Sequence, residues 1–222
     1  MSQDLQVRRN QMFRAFKWSA ILFFGFIIVT QQVLTRGPLS DLDSTISDAK
    51  RLNFPNWIDF VLRRIDDLGL RGLTAVVLLI AAVFISRRFK SWRPLNLAVL
   101  SLISLNLFVG ISKIVIGRTK PSLKVDLLHA GGLSYPSGHA SNALVTWGVL
   151  AYLIYRYSHG EVFHGRLLTS AVGGMTLSVC AVSLFRDTHW ITDLLGGLFI
   201  GGALLVAIIA IDRYFPSVSQ RS

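Results

Sequence analysis

Residues 186–211 read RDTHWITDLLGGLFIGGALLVAIIAI, and the two halves of this stretch set the problem. From Ile191 to Ile211 the run is apolar over about the 20 residues that a helix needs to cross a hydrocarbon core. At its mouth stand Arg186, Asp187, His189 and Asp193. His189 and Asp193 are four apart, so a helix places them on one face. The carboxylate can accept a hydrogen bond from one ring nitrogen, setting the tautomer and leaving the other nitrogen free to attack. Such a pair is also a common surface contact, but an aspartate at the entrance of a membrane helix is costly to explain as decoration. Gly196, Gly197, Gly201 and Gly202 include a GxxxG pair that lets helices approach closely. Packing inside a bundle is the preferred reading of these glycines, and a homodimer is the alternative.

Working outward, five further apolar stretches precede this one, at about 18–34, 68–86, 95–116, 140–155 and 167–185. Hydrophobic residues make up 52% of the 222 and charged residues only 16%, against roughly 25% charged in soluble domains. The mean hydropathy is +0.52. The expected fold is therefore all-α, a polytopic membrane bundle of about six transmembrane helices forming a single domain over residues 1–222. The first stretch exceeds the roughly 7–15-residue core of a signal peptide and no small-x-small site follows it, so it reads as a retained helix.

The net charge of +11 would suit nucleic acid, but its placement argues against that partner. Arg8, Arg9, Arg14 and Lys17 precede the first span, and Arg87, Arg88, Lys90 and Arg93 lie between the second and third. Positive-inside loops look like this. Both termini are then cytoplasmic, and 35–67, 117–139 and 186–190 form the outer segments. The first of these balances its acids against its bases, and Trp57–Leu70 has the helical mix of apolar and charged residues that suits an interface. Compact loops and the lack of an amino-terminal extension suggest a bacterial plasma membrane. Cys180, the single cysteine, excludes an intrachain disulfide and reads as apolar packing.

That topology gathers three polar clusters at one face. Lys113 ends the third span, with Arg118 and Lys120 behind it and no acid before Asp126, a set suited to a doubly charged phosphate. Pro136-Ser137-Gly138-His139 reads as a turn into a helix, whose first amides, around Ser137 and Gly138, favour an anion. By itself it would be an ordinary capped helix start. His139, just inside, is placed to pass a proton to a leaving oxygen. His139, His189 and Asp193 could in principle hold a metal, but Lys113, Arg118, Lys120 and Arg186 would repel a divalent cation. No metal or cofactor is expected. His159 and His164 in the inner loop, and His129, are read as solvated.

These residues resemble the type 2 phosphatidic acid phosphatase (lipid phosphate phosphatase) superfamily, whose motifs are Lys-x6-Arg-Pro, Pro-Ser-Gly-His and Ser-Arg-x5-His-x3-Asp. The first matches Lys113 through Lys120-Pro121, with lysine for arginine; the second is intact at Pro136–His139; the third keeps His189 and Asp193. Its Ser-Arg positions are Val182 and Ser183 here, and Arg186 is the nearest cation. The resemblance implies a metal-independent hydrolase of lipid phosphates, phosphatidate-type or a polyprenyl phosphate or diphosphate such as undecaprenyl diphosphate. His189 would be the nucleophile, forming a phosphohistidine, Asp193 its orienting partner and His139 the acid. Lys113, Lys120, Ser137, Gly138, Arg118 and Arg186 would hold the phosphate. Two other readings stay open: a phosphotransferase from lipid to an acceptor such as a sugar, and a non-enzymatic binder or transporter.

Overall fold

The computed structural model describes residues 3–48, 54–158 and 162–215. The helices are α1 (Gln3–Leu34), α2 (Pro38–Asp48), α3 (Asn56–Asp66), α4 (Arg71–Arg88), α5 (Arg93–Ile116), α6 (Gly138–Tyr157), α7 (Val162–Phe185) and α8 (Ile191–Tyr214). No strand occurs among the described residues. The fold is the expected helical membrane bundle.

Four of these helices, α1, α5, α7 and α8, are separately long and apolar enough to cross a membrane. The helices α3 and α4 pass the same test only as a pair, bent by 56° at the short 3-10 turn Asp67–Gly69, with α4 as the apolar arm. The sixth expected span, α6, falls short of the same criterion because of where it lies. It packs against α4, α5, α7 and α8, and it buries Ser141, Asn142 and Thr146 beside Val145, Val149 and Leu153. A helix surrounded by other helices meets little lipid, and its small and polar residues can make interhelical contacts. Around it, Leu78 and Ala82 of α4, Leu97, Leu105 and Val109 of α5, and Ile200 and Ile208 of α8 complete one core. By contrast, α1 packs on α8 and leaves Trp18, Phe24 and Ile27 exposed, as a helix facing lipid would.

Glycines bring α8 against the start of α6. A Cβ on Gly197 would lie 2.6 Å from the Ser137 carbonyl oxygen, and one on Gly196 would meet the Tyr135 ring at 2.8 Å. The GxxxG face is therefore taken up within the chain. Tyr135 in turn shares a hydrogen bond with the Thr30 hydroxyl of α1 at 2.7 Å and stacks on Phe26. The segment between α1 and α4 holds α2 and α3. The charged rows of α3 pair along its own surface, as in Arg63–Asp59 at 2.8 Å, while Trp57, Phe60 and Val61 stay exposed. That is the amphipathic pattern expected of an interfacial helix.

The opposite end of the bundle is fastened separately. Asp212 of α8 accepts from Arg93 at 2.6 Å and from Tyr152 at 2.6 Å, and also binds Arg156. Asp193 and Asp212 belong to one helix and are about 30 Å apart at about 1.5 Å of rise per residue. The two clusters thus sit a hydrocarbon thickness apart.

Replacing Gly197 by Ala should therefore cost about 1–3 kcal/mol, seen as a lowered unfolding temperature in detergent. Gly174→Ala, where an added Cβ meets nothing within 4 Å, should not lower it. Equal unfolding temperatures for the two variants would contradict this packing.

Candidate active site

The site forms where α8 begins. Trp190 is extended and caps the helix, and its amide donates to Asp193 at 3.1 Å, the reciprocal contact of a helix start. The same carboxylate oxygen lies 3.3 Å from Nδ1 of His189 and accepts from the Ser134 hydroxyl. With Nδ1 facing Asp193, the other ring nitrogen, Nε2, is the one left for a substrate. His189 is only 7% exposed and Asp193 fully buried.

The second oxygen of Asp193 accepts from Arg118 at 2.9 Å. Arg118 has no exposed surface and also binds Asp43 and Asp126, each at 2.7 Å, and the Thr192 hydroxyl at 2.6 Å. Its guanidinium lies 5.1 Å over the Trp190 ring. The sequence reading put Arg118 on the phosphate; the structure instead has it enclosed by three carboxylates, with no face free for a ligand. Asp43, from α2, also accepts from the Thr192 amide at 3.0 Å. Burial pushes the Asp43 carboxyl up, and Thr192 and Arg118 pull it back. The loop after α5, helix α2 and the start of α8 are thereby tied to one another.

Facing His189 is His139, the second residue of α6, with ring centroids 6.0 Å apart. Ser137 caps α6 by accepting from the Ala140 amide at 3.3 Å, and its own amide donates to the Asp193 carbonyl at 2.8 Å. Its hydroxyl accepts the capping bond and the residue is wholly buried, so Ser137 shapes the turn that opens α6. Gly138 borders Lys113: a Cβ there would lie 3.8 Å from Lys113 Cε. The Lys113 ammonium donates to the Leu133 and Ser134 carbonyls. Gly117, in the left-handed conformation at φ 57°, ends α5 and turns the chain toward this loop. Lys120 is exposed and its charge acts on both Lys113 and His139.

Arg186, the expected stand-in for the missing motif arginine, pairs with Asp66 at 3.3 Å and lies 3.8 Å from Asp59. Ser183, at the position of that arginine, donates to Asp66 at 3.1 Å. Sequence reasoning missed Asp43, Asp66, Ser134 and Thr192. Among the described residues no three His, Cys, Asp or Glu side chains converge as a metal site. His129 and His164 are exposed, and His159 lies outside the described residues.

A multi-pass helical bundle with two histidines and several lysines gathered at one end defines an integral membrane protein with a polar site at the bilayer edge. The chain belongs to the PAP2 superfamily, whose profile matches residues 94–216. It is 27% identical over 202 residues to phosphatidylglycerophosphatase B of Bacillus subtilis (strain 168), covering 90% of this chain and 97% of that one. The crystal structure of a transmembrane PAP2-type phosphatidylglycerolphosphate phosphatase from Bacillus subtilis superposes with a TM-score of 0.80 at 24% identity. It covers 90% of this chain and 98% of that chain. The protein is thus a multi-pass membrane member of this superfamily.

Removing the Arg118 charge would leave the buried Asp43 without a cation and Asp193 with His189 as its one charged partner. Arg118→Met should cost about 3–5 kcal/mol, while Asp126→Asn should cost less because Asp126 is 27% exposed. Unfolding in detergent checks both. Unchanged stability with a raised KM in Arg118→Met would return Arg118 to the phosphate site.

Proposed function

We propose that this chain hydrolyses the phosphate monoester of a glycerophospholipid in two displacements through His189. The observation that carries the reading is the opposition of His189, held by Asp193, and His139 across 6.0 Å, with Lys113 and Lys120 alongside. A phosphoryl group fits between two such rings with the attacking nitrogen and the proton donor each in reach. Phosphatidylglycerophosphate is the first candidate substrate, because the full-length relative is a phosphatidylglycerophosphatase.

In the first step His189 Nε2 attacks phosphorus while the bond from phosphorus to the lipid oxygen breaks. His139 gives its proton to that oxygen, leaving a phosphohistidine and a lipid alcohol. In the second, water attacks phosphorus and passes a proton to His139, the nitrogen–phosphorus bond breaks, and inorganic phosphate leaves. Lys113 and Lys120 offset the charge on the equatorial oxygens, and Asp193 stabilises the imidazolium as the ring gives up its electron pair. The site faces the outer leaflet. Arg8, Arg9, Arg14 and Lys17 in the first half of α1, with Arg87, Arg88, Lys90 and Arg93 around the junction of α4 and α5, support this: they sit at the far end of the bundle, where positive-inside residues belong.

Purified protein in EDTA should release phosphate from phosphatidylglycerophosphate. His189→Ala should fall to background, and His139→Ala should lose about 10²–10⁴-fold in kcat. Phosphatidate and polyprenyl diphosphate in the same panel rank the lipid class. Full turnover by His189→Ala would end the histidine reading, and a total loss of activity in EDTA would end its independence of metal. For topology, Lys120→Cys in a Cys180→Ser background should react with an impermeant maleimide on intact cells, and Arg88→Cys only after permeabilisation. Labelling in the reverse sense would invert the orientation.

A further inference from the structure

The phosphate site is short of a cation. A phosphoryl group in transfer spreads about two negative charges over three equatorial oxygens, and the residues so far assigned to them are two lysines. The arginines that sequence motifs offer are engaged elsewhere: Arg118 among three carboxylates, and Arg186 with Asp66 and Asp59. At the position where the third motif carries its arginine, Ser183 hydrogen-bonds Asp66.

We infer that Arg71, the first residue of α4, supplies the missing phosphate contact from the other side of His139. The inference rests on the histidine reading above and deepens it. The backbone just before Arg71 is pinned to α6: a Cβ on Gly69 would lie 2.8 Å from the His139 carbonyl oxygen and 2.9 Å from its Cβ. One residue earlier, the Leu68 carbonyl accepts from the Trp147 indole at 2.8 Å. The bend between α3 and α4 thus delivers Arg71 to the rim of the site, close enough to Lys113 for the two charges to repel. Arg71 is exposed, so the guanidinium has room.

What singles Arg71 out is that without a ligand its charge is opposed twice. A cation in the first turn of a helix faces the positive end of the helix dipole. No acid stands in the first turn of α4, and Leu70 provides no side-chain cap. The carboxylates of the neighbouring α3 segment are taken: Asp59 by Arg63, Asp67 by Arg64, and Asp66 by Ser183 and Arg186. Among the described residues Arg71 forms no ion pair. Both oppositions, from the dipole and from Lys113, are relieved when a dianionic phosphoryl group lies between them. A guanidinium can grip two of its oxygens at once, which neither lysine can do.

The test compares Arg71→Ala, Arg71→Lys and Arg186→Ala, using phosphatidylglycerophosphate hydrolysis in EDTA, inhibition by orthovanadate, and unfolding temperature with and without vanadate. Arg71→Ala should lose about 10²–10³-fold in kcat/KM and weaken vanadate inhibition more than tenfold. Its unfolding temperature without vanadate should be equal or higher, and the stabilisation by vanadate should disappear. Arg71→Lys should recover only part. Vanadate inhibition and kcat/KM within threefold of the parent in Arg71→Ala would overturn the inference, as would loss of vanadate binding in Arg186→Ala alone. The vanadate arms decide this whether or not His189→Ala proves inactive, so the two readings fail separately.

Discussion

A guanidinium with no exposed surface, held by three carboxylates, is the constraint on which the rest of the site depends. Taking a charge out of water costs several kcal/mol unless it is paired and hydrogen-bonded. Arg118, Asp43, Asp126 and Asp193 therefore assemble as a unit or not at all. Through Asp193 the unit fixes the ring of His189; through Asp43 it anchors α2; through its own backbone it shapes the loop that carries Lys120 and Ser134. Ser134 then gives Asp193 a further donor, and the Trp190 amide another. A nucleophile oriented this way needs no adjustment when a substrate arrives.

Between the two ends the described residues give few such directional ties, among them the Ser19 hydroxyl of α1 on the Ala203 carbonyl of α8 at 2.8 Å. In lipid, apolar side chains gain little from leaving one apolar surface for another, so close packing and interhelical polar contacts must supply the association. Here the glycines of α8 let the start of α6 come within contact distance, and each end of the bundle is closed by a buried ion cluster. Asp212 with Arg93 and Arg156 holds the far end. The geometry at His139 and His189 follows from α6 and α8 meeting this closely, since one residue of the pair comes from each side of that contact.

Much of this was legible in the residues themselves. The long apolar runs of α1, α5, α7 and α8 mark spans, and the motif residues His139, His189 and Asp193 do come together. α6 was readable from its motif more than from its hydropathy, because a central helix can carry Asn142 and Thr146. What escaped was pairing between distant charges. Asp43 and Asp66 read as ordinary acids in a balanced outer loop, and nothing local marks them as partners of Arg118 and Ser183. Arg118 looked like a ligand for an anion because its nearest acid in sequence, Asp126, is eight residues on; its other carboxylates come from α2 and α8, 75 residues away in either direction. Arg71 carried a faint signal, an arginine opening an apolar helix with no acid in its first turn.

The claim at the centre is that phosphorus is attacked by His189 before water ever reaches it. Two in-line displacements return phosphorus to its starting handedness, whereas one direct attack by water inverts it. The decisive measurement uses a lipid thiophosphate monoester made chiral at phosphorus by isotopic labelling of its non-bridging oxygens, hydrolysed by the purified protein in water of the third oxygen isotope. Net retention in the released thiophosphate is the expected result. Net inversion would contradict the account, however well the histidines are placed.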